Sequence, residues 1–306
     1  MTGRFAPSPT GPLHVGNLRT ALLAWLAARS SGDGRFVLRV EDLDRANASA
    51  ANEARQSADL AAIGLDWDGP TVRQSERFAL YDAAIARLTA AGLTYECFCT
   101  RREIREAVVA PHGPQGAYPG TCRDLTPAER DERRRARPPA LRLRAAGEPI
   151  TIDDALAGSF TGPVDDVVLR RNDGVPAYNL AVVVDDAAQG VSDVARGDDL
   201  LASTPRQVLL QRLLGLPAVR YAHVPLVVGA DGQRLAKRHG AVTLEDLARA
   251  GVAPGRVVGA LGASLGLAGG SEELTAGELL PGFDLAAVAA VGRAPVALAD
   301  LQRSWS

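Results

Sequence analysis

One residue of this chain is a lysine, Lys237, among 34 lysines and arginines. A sequence that writes its other cations as arginine and keeps one ammonium uses it as a compact, mobile point charge. It lies in Gly232-Gln233-Arg234-Leu235-Ala236-Lys237-Arg238-His239-Gly240, a polar loop rich in Gly and Arg. Near the other end, residues 4–17 read Arg-Phe-Ala-Pro-Ser-Pro-Thr-Gly-Pro-Leu-His-Val-Gly-Asn. Arg4-Phe5-Ala6 starts a short strand, and Pro7, Pro9 and Pro12 stiffen the turn that leaves it. Gly11 and Gly16 leave room for a ligand to approach the backbone. A strand, a small-residue turn carrying His14 and a helix N-terminus together make a nucleotide phosphate site.

The three cysteines, Cys97, Cys99 and Cys122, fall within 26 residues. An odd number at this spacing is not a disulfide framework. Three thiolates and one further ligand complete a tetrahedral zinc site, for which His112 is the better fourth ligand on general chemistry. Three unmetallated thiols in a packed segment are the alternative. Glu41 reads either as a ligand for a cation or as a strand-end acid paired with Arg39 or Arg45. Arg196, before Gly197-Asp198-Asp199, reads as a carboxylate fork or as part of a salt-bridged turn.

The elements that must position these groups alternate. A strand is expected at 3–6, a helix from about 17 to 30 with Leu18, Leu22 and Leu26 on one stripe, and a strand at about 35–41. A second helical pattern runs over about 76–91. Val164–Arg170 and Leu180–Asp185 are β-rich runs, and Thr204-Pro205 opens another helix as cap and first-turn proline. Strands alternating with helices predict an α/β fold with a doubly wound parallel sheet. Residues 96–163, rich in Cys, Pro and Arg, break the rhythm and are expected to be an insertion between two halves of that sheet.

At 306 residues, 46% hydrophobic and 23% charged, the composition is that of a globular protein with a sizeable core. The uncharged, Gly-rich stretch Val257 to Ser271 is too short to span a bilayer, and the N-terminus has no apolar signal core. No membrane partner and a cytoplasmic location are expected. The net charge of −2 argues against general nucleic-acid coating. Residues 97–144, however, hold eleven arginines against six acids, a local +5. This segment is suited to backbone phosphates, or it is an exposed helix laced with Glu129, Asp131 and Glu132.

Pro7-Ser8-Pro9-Thr10-Gly11 followed by His14-Val15-Gly16-Asn17 resembles the HIGH region of class I glutamyl-type aminoacyl-tRNA synthetases. Arg234-Leu235-Ala236-Lys237-Arg238 resembles their KMSKS loop, with Lys237 on the second lysine. Leu38 to Asp44, Pro176 to Asp186 and Arg196 to Leu200 match in order, so that the resemblance covers roughly residues 3 to 245. Only 66 residues follow Gly240, too few for helical anticodon-binding domains, and they read as two to four short helices. Together with the cysteine pattern, the chain is similar to the glutamyl-Q tRNA(Asp) synthetase family, truncated paralogues that attach glutamate to the queuosine base of tRNA(Asp).

That resemblance implies a Rossmann-type catalytic domain over 1–245, a zinc-containing insertion and a short helical C-terminal subdomain over 246–306. It implies glutamate contacts at Arg4, Phe5, Ala6, Pro7, Ser8, Glu41, Tyr178 and Arg196. ATP, with Mg2+, would meet His14, Gly16, Asn17 and Lys237, of which His14 and Lys237 are catalytic. Zinc would be held by Cys97, Cys99, Cys122 and, as fourth ligand, Tyr118 rather than His112. The partners implied are L-glutamate, ATP and queuosine-containing tRNA(Asp), with a monomer expected. The second histidine of the class pattern is Asn17, which still donates a hydrogen bond. The attacking α-carboxylate is already an anion, so catalysis rests on positioning and on stabilising phosphate charge. The competing readings are a minimal glutamyl-tRNA synthetase and a non-catalytic tRNA-binding paralogue.

Overall fold

The computed structural model describes residues 1–108, 118–235 and 242–305. The chain opens with β1 (Thr2–Phe5) and crosses the Pro/Gly turn into α1 (Val15–Arg29). His14 and Asn17 start that helix reciprocally: His14 Nδ1 accepts from the Asn17 N–H at 3.3 Å, and Asn17 Oδ1 accepts from the His14 N–H at 3.1 Å. Leu18, Leu22, Leu23, Trp25 and Leu26 are all buried, so α1 is a core rod rather than a surface helix. A Cβ on Gly3 would lie 2.9 Å from that of Ala28, which is how closely β1 rests on α1.

The next elements are β2 (Arg35–Val40), α2 (Ala50–Ala62), β3 (Val72–Arg73) and α3 (Phe78–Ala90). Then come β4 (Thr94–Cys97), α4 (Arg101–Val108), α5 (Pro127–Ala136), β5 (Ala140–Leu143), β6 (Ile150–Asp154) and β7 (Gly158–Gly162). β8 (Val168–Arg170), α6 (Tyr178–Ala188), β9 (Asp193–Gly197), α7 (Thr204–Leu213) and β10 (Arg220–Val224) complete the central part. The main sheet has the order β3-β2-β1-β9-β10-β6-β7 and is parallel except for the β6–β7 hairpin. The strand order reverses at β1, with β2 on one side and β9 on the other. At such a switch point the flanking connections diverge and leave a crevice at the carboxyl ends of the strands. A second, antiparallel sheet has the order β4-β5-β8. The span expected to be an insertion, 96–163, thus divides between the two sheets, because β6 and β7 pair into the main one.

Two local expectations are corrected. Leu180–Asp185 is not a strand but the middle of α6, despite its run of valines. Leu180 to Val183 face the core, and Asp185 and Asp186 meet the buried Arg4 and Arg39 on β1 and β2 and the half-buried Arg77 just before α3, contacts that override β-propensity. Thr204 does not cap α7 but is its first residue, and its hydroxyl accepts from Arg196 Nη2 at 2.8 Å. In the run Val164–Arg170, the strand is confined to Val168–Arg170.

Beyond β10, β11 (Val227–Val228) precedes α8 (Leu244–Arg249), α9 (Pro254–Ser264) and α10 (Leu285–Ala290). β12 (Val296–Ala297) then pairs with β11 and leads into α11 (Leu298–Trp305). Val257, Val258 and Leu261 of α9 join Leu18 and Leu22 of α1 in one core. Among the described residues, no helix is long and apolar enough to cross a membrane. The buried Arg19 ties α1 to this region: Nε donates to Ser264 Oγ at 2.8 Å, Nη2 to Ser264 O at 3.0 Å and Nη1 to Pro225 O at 2.8 Å. Arg19→Met keeps the aliphatic stem but leaves those carbonyls without a donor. It is expected to lower stability by about 1–3 kcal/mol in urea unfolding.

Candidate active site

Three buried arginines stand at the carboxyl ends of neighbouring strands: Arg4 on β1, Arg39 on β2 and Arg196 on β9. Arg39 is fully buried and ion-paired, although its Nε, 3.8 Å from Asp185 Oδ2, makes no hydrogen bond. Its Nη1 donates to Asp186 Oδ1 at 2.7 Å and to Gln189 Oε1 at 2.9 Å, whereas its contact with Glu41 Oε1 is long, at 3.4 Å. Asp185, beside it, takes Gln74, Arg77 and Tyr81. The Arg39–Glu41 pairing weighed from the sequence therefore exists but does not saturate Glu41, because Asp186 takes the shorter bond.

Arg4 and Arg196 are incompletely paired. Arg4 Nη1 donates to Ala195 O at 3.1 Å and its Nε lies 3.6 Å from Asp186 Oδ1, beyond hydrogen-bond reach. Arg196 Nε donates to His223 Nε2 at 3.0 Å and Nη2 to Thr204 Oγ1, so it is not a salt-bridged turn. Arg4 Nε and Arg196 Nη1 are buried with no hydrogen-bond partner. An orphaned cationic donor in a water-poor site is costly, and a carboxylate ligand relieves it. Burial pushes the Glu41 carboxyl above its ordinary value, against the pull of Arg39 and Arg4. A ligand cation beside it restores the charged form. With Arg39 offset by Asp186, two cations and one carboxylate remain, joined by the Tyr178 hydroxyl at the start of α6.

The turn after β1 is stitched to its neighbours. Pro7 O accepts from the Glu41 N–H at 2.9 Å, and the buried Gln56 donates to Ser8 O at 3.0 Å and Gly11 O at 2.7 Å. Phe5 is buried, and Ala6 and Ser8 lie along this turn. A cavity of about 710 Å³ is lined by Ser8, Glu41 and Tyr178 together with Cys99, Arg101 and Arg137.

His14 accepts at Nδ1, which places the proton of the neutral ring on Nε2. Burial, reinforced by Arg234, lowers its pKa to about 4. Gly16 is required beside it, since a Cβ there would lie 3.0 Å from the ring. Asn17 is spent on holding the ring. Lys237 and His112 lie outside the described residues. The flanks of the Lys237 segment border His14: Arg234 bridges to Val228 and pairs with Asp199 at 2.7 Å, and Val242 O accepts from the Val15 N–H at 2.9 Å.

The sulfur atoms of Cys97, Cys99 and Cys122 all lie within 4.8 Å of one another. The Tyr118 hydroxyl is 3.3 Å from Cys97 Sγ and 3.6 Å from Cys99 Sγ. These spacings match the edges of a tetrahedron around an ion bound at ordinary Zn–S and Zn–O distances. Burial pushes the Cys99 thiol up to about 12, so the charge of a bound cation is what would ionise it. Arg133 Nη1 lies 3.5 Å from Cys122 Sγ, and Arg142 stacks 3.7 Å above the Tyr118 ring. Sequence reasoning missed Asp154 and His223 behind Arg196 and gave Thr204 a different role. Nothing in the local context of Asp154 and His223 marks them, and only the register of β6, β10 and β9 brings them to Arg196.

Residues 1–280 match the catalytic domain of the class I tRNA synthetases (E and Q). The chain belongs to that family, among the glutamyl-Q tRNA(Asp) synthetases. It is 68% identical over 266 residues to the Glutamyl-Q tRNA(Asp) synthetase of Nocardia farcinica, covering 87% of this chain and 85% of the relative. It is 51% identical over 303 residues to that of Symbiobacterium thermophilum, covering 94% of each. Its structure is similar to a glutamate tRNA ligase from Elizabethkingia meningosepticum, solved in complex with its amino acid. The TM-score is 0.82 at 28% identity, covering 99% of this chain and 68% of that one. As a member of this synthetase family the chain is an enzyme of the ligase class, and such class I enzymes use ATP with Mg2+.

Because the folded His14 pKa lies below the ordinary 6.5, its neutral ring contributes stability fully above that pH. The contribution is lost as pH falls toward 4. The urea midpoint of the native protein is therefore expected to fall more steeply between pH 6.5 and 4.5 than that of His14→Gln. Parallel pH profiles of the two midpoints would remove His14 from the account.

Proposed function

We propose that this synthetase activates L-glutamate with ATP and transfers it to a ring hydroxyl of the queuosine base at the first anticodon position of tRNA(Asp). The observation that carries the substrate half is the pair of orphaned donors, Arg4 Nε and Arg196 Nη1, which share the electrostatic surroundings of Tyr178 with Glu41. Two carboxylates and one ammonium require two cations and one anion. Glutamine, with a neutral amide, leaves one buried guanidinium unmatched. Tyr178 closes the pocket, and Phe5, Ala6, Pro7 and Ser8 carry the backbone against the substrate.

In the first step an oxygen of the α-carboxylate attacks the α-phosphorus, and the bond to pyrophosphate breaks. His14 is suited to donate from Nε2 to a phosphate oxygen, and Gly16 and Asn17 keep that turn open and fixed. Lys237 is assigned to the charge that builds on the leaving pyrophosphate. In the second step the ring hydroxyl attacks the acyl carbon, AMP leaves and the hydroxyl proton is released. Arg101 and Arg137, which line the same cavity, are assigned to phosphates of the anticodon arm. The acceptor is supported by the printed names of the relatives at 68% and 51% identity.

Cys97, Cys99, Cys122 and Tyr118 are the residues that would hold zinc, which when bound supplies a structural cross-link between β4 and the turn before α5. Residues 1–245 are assigned to catalysis and 246–306 to a helical subdomain that supports α1.

Labelled glutamate, with ATP, is expected to pass to tRNA(Asp) containing queuosine, and neither to tRNA(Asp) lacking it nor to tRNA(Glu). Label on tRNA(Glu) instead would overturn the acceptor. Lys237→Ala is expected to slow glutamate-dependent ATP–pyrophosphate exchange by about 10²-fold or more with the fold intact. Purified protein is expected to contain one zinc by elemental analysis, lost together with several degrees of Tm in Cys122→Ser.

A further inference from the structure

Arg196 is held from behind by residues that no motif contains. In the parallel pairing of β9 with β10, Arg196 stands opposite His223. β10 in turn pairs with β6, whose last residue is Asp154. His223 and Asp154 are both buried, at 1% and 5% exposure. His223 Nδ1 lies 2.5 Å from Asp154 Oδ2. The same carboxylate accepts from the backbone N–H groups of His223 at 3.0 Å, Leu156 at 3.0 Å and Ala157 at 2.8 Å.

The direction of each bond follows from what each group can do. A guanidinium only donates, so Arg196 Nε–H requires a lone pair on His223 Nε2. An ionised carboxylate only accepts, so Asp154 requires the ring proton on Nδ1. Both ends of the line select one neutral tautomer. Burial lowers the His223 pKa, in keeping with a neutral ring. Thr204 Oγ1 accepts from Arg196 Nη2, and its own hydroxyl proton has two acceptors at 3.2 Å, Leu200 O and the His223 Nε2 lone pair. Tyr221 supports the arrangement from one side: its ring stacks on His223 at 5.9 Å, and the Arg196 guanidinium carbon lies 5.2 Å from its centre. With Nε and Nη2 anchored, Nη1 is left buried and unpaired.

We propose that Asp154 and His223 form a positioning dyad for amino-acid recognition: they fix the imidazole tautomer that orients Arg196, so that Nη1 is presented to a substrate carboxylate. This rests on the assignment of Arg196 to glutamate made above. The dyad touches no substrate. It acts as the buried aspartate of a serine-protease triad acts on its histidine, by setting tautomer and ring orientation. It makes the fork rigid before the ligand arrives, which limits the ordering cost of binding.

The test combines glutamate-dependent ATP–pyrophosphate exchange with nitrogen-resolved NMR of the histidine rings in the full chain. His223→Leu removes the acceptor at similar volume and is expected to raise the KM for glutamate about tenfold or more, with the KM for ATP within about twofold. His223→Gln, whose Oε1 reaches the Nε2 position, is expected to recover most of that loss. Asp154→Asn lets an amide donate to Nδ1, and is expected to move the ring proton to Nε2 and raise the glutamate KM. In an Arg196→Ala background, His223→Leu is expected to have no further effect on the glutamate KM.

A folded His223→Leu with an unchanged glutamate KM, or with both KM values shifted equally, overturns the dyad. So does a wild-type ring protonated at Nε2. If His223→Leu does not fold, His223→Gln and Asp154→Asn carry the same decision. Wild-type protein that shows no glutamate-dependent exchange overturns the substrate assignment instead, and the NMR tautomer then decides the dyad alone.

Discussion

A guanidinium cannot shed its charge, so each buried arginine must be surrounded by acceptors or left waiting for one. Arg39, fully buried at the end of β2, is the constraint from which the centre of this structure follows. It demands anions at the carboxyl edge of the sheet, and Asp185 and Asp186 bring α6 across that edge to supply them. Once α6 lies there, Tyr178 at its start is carried to the crevice beside β1 and β9. Glu41, one residue beyond β2, receives only a long contact from Arg39, whose charge Asp185 and Asp186 offset. The same edge then holds two further arginines with weaker anionic partners: Arg4 comes only within 3.6 Å of Asp186, and Arg196 bonds to the uncharged His223 and Thr204. All three keep one buried guanidinium nitrogen without a hydrogen bond, and what distinguishes scaffold from candidate site is the charge left without a close carboxylate at Arg4 and Arg196.

The other half of the design hangs on α1. Its N-terminus, set by His14 and Asn17, adjoins the Pro/Gly turn. Its flank packs on α9, and Arg19 bonds to Ser264 at the end of α9 and to Pro225, just past β10. Val15 is tied to Val242, just past the lysine segment. The Pro/Gly turn, the boundaries of the lysine segment and the C-terminal helices therefore bear on one buried rod, and a displacement of any of them is felt by the others through close packing.

The small antiparallel sheet joins the second cluster of chemistry to the first. Cys97 ends β4, and Cys99 lines the same cavity as Glu41 and Tyr178. The arginines that make residues 97–144 basic divide in two. Arg133 and Arg142 turn inward toward the sulfurs and the Tyr118 ring, and Arg134 and Arg144 pair with acids at the surface. The ion-paired helix weighed for that segment is thus present, and part of its positive charge is turned toward the cysteine cluster.

What the amino-acid sequence determined by itself is local. The Pro/Gly turn, the strand–helix alternation and the close spacing of the cysteines depend on neighbours a few residues away, and their chemistry is readable from residue types and order. The ordered motifs carried the family. Tertiary structure alone decided that the valine run of α6 is a helix, that Thr204 serves Arg196 rather than a helix end, and that Asp154 and His223 stand behind that arginine. These outcomes turn on charges and hydrogen-bond donors brought together from strands far apart in sequence, Arg39 to Asp186 and Asp154 to His223 among them. The desolvation cost that makes such pairings obligatory exists only once the sheet has closed around them.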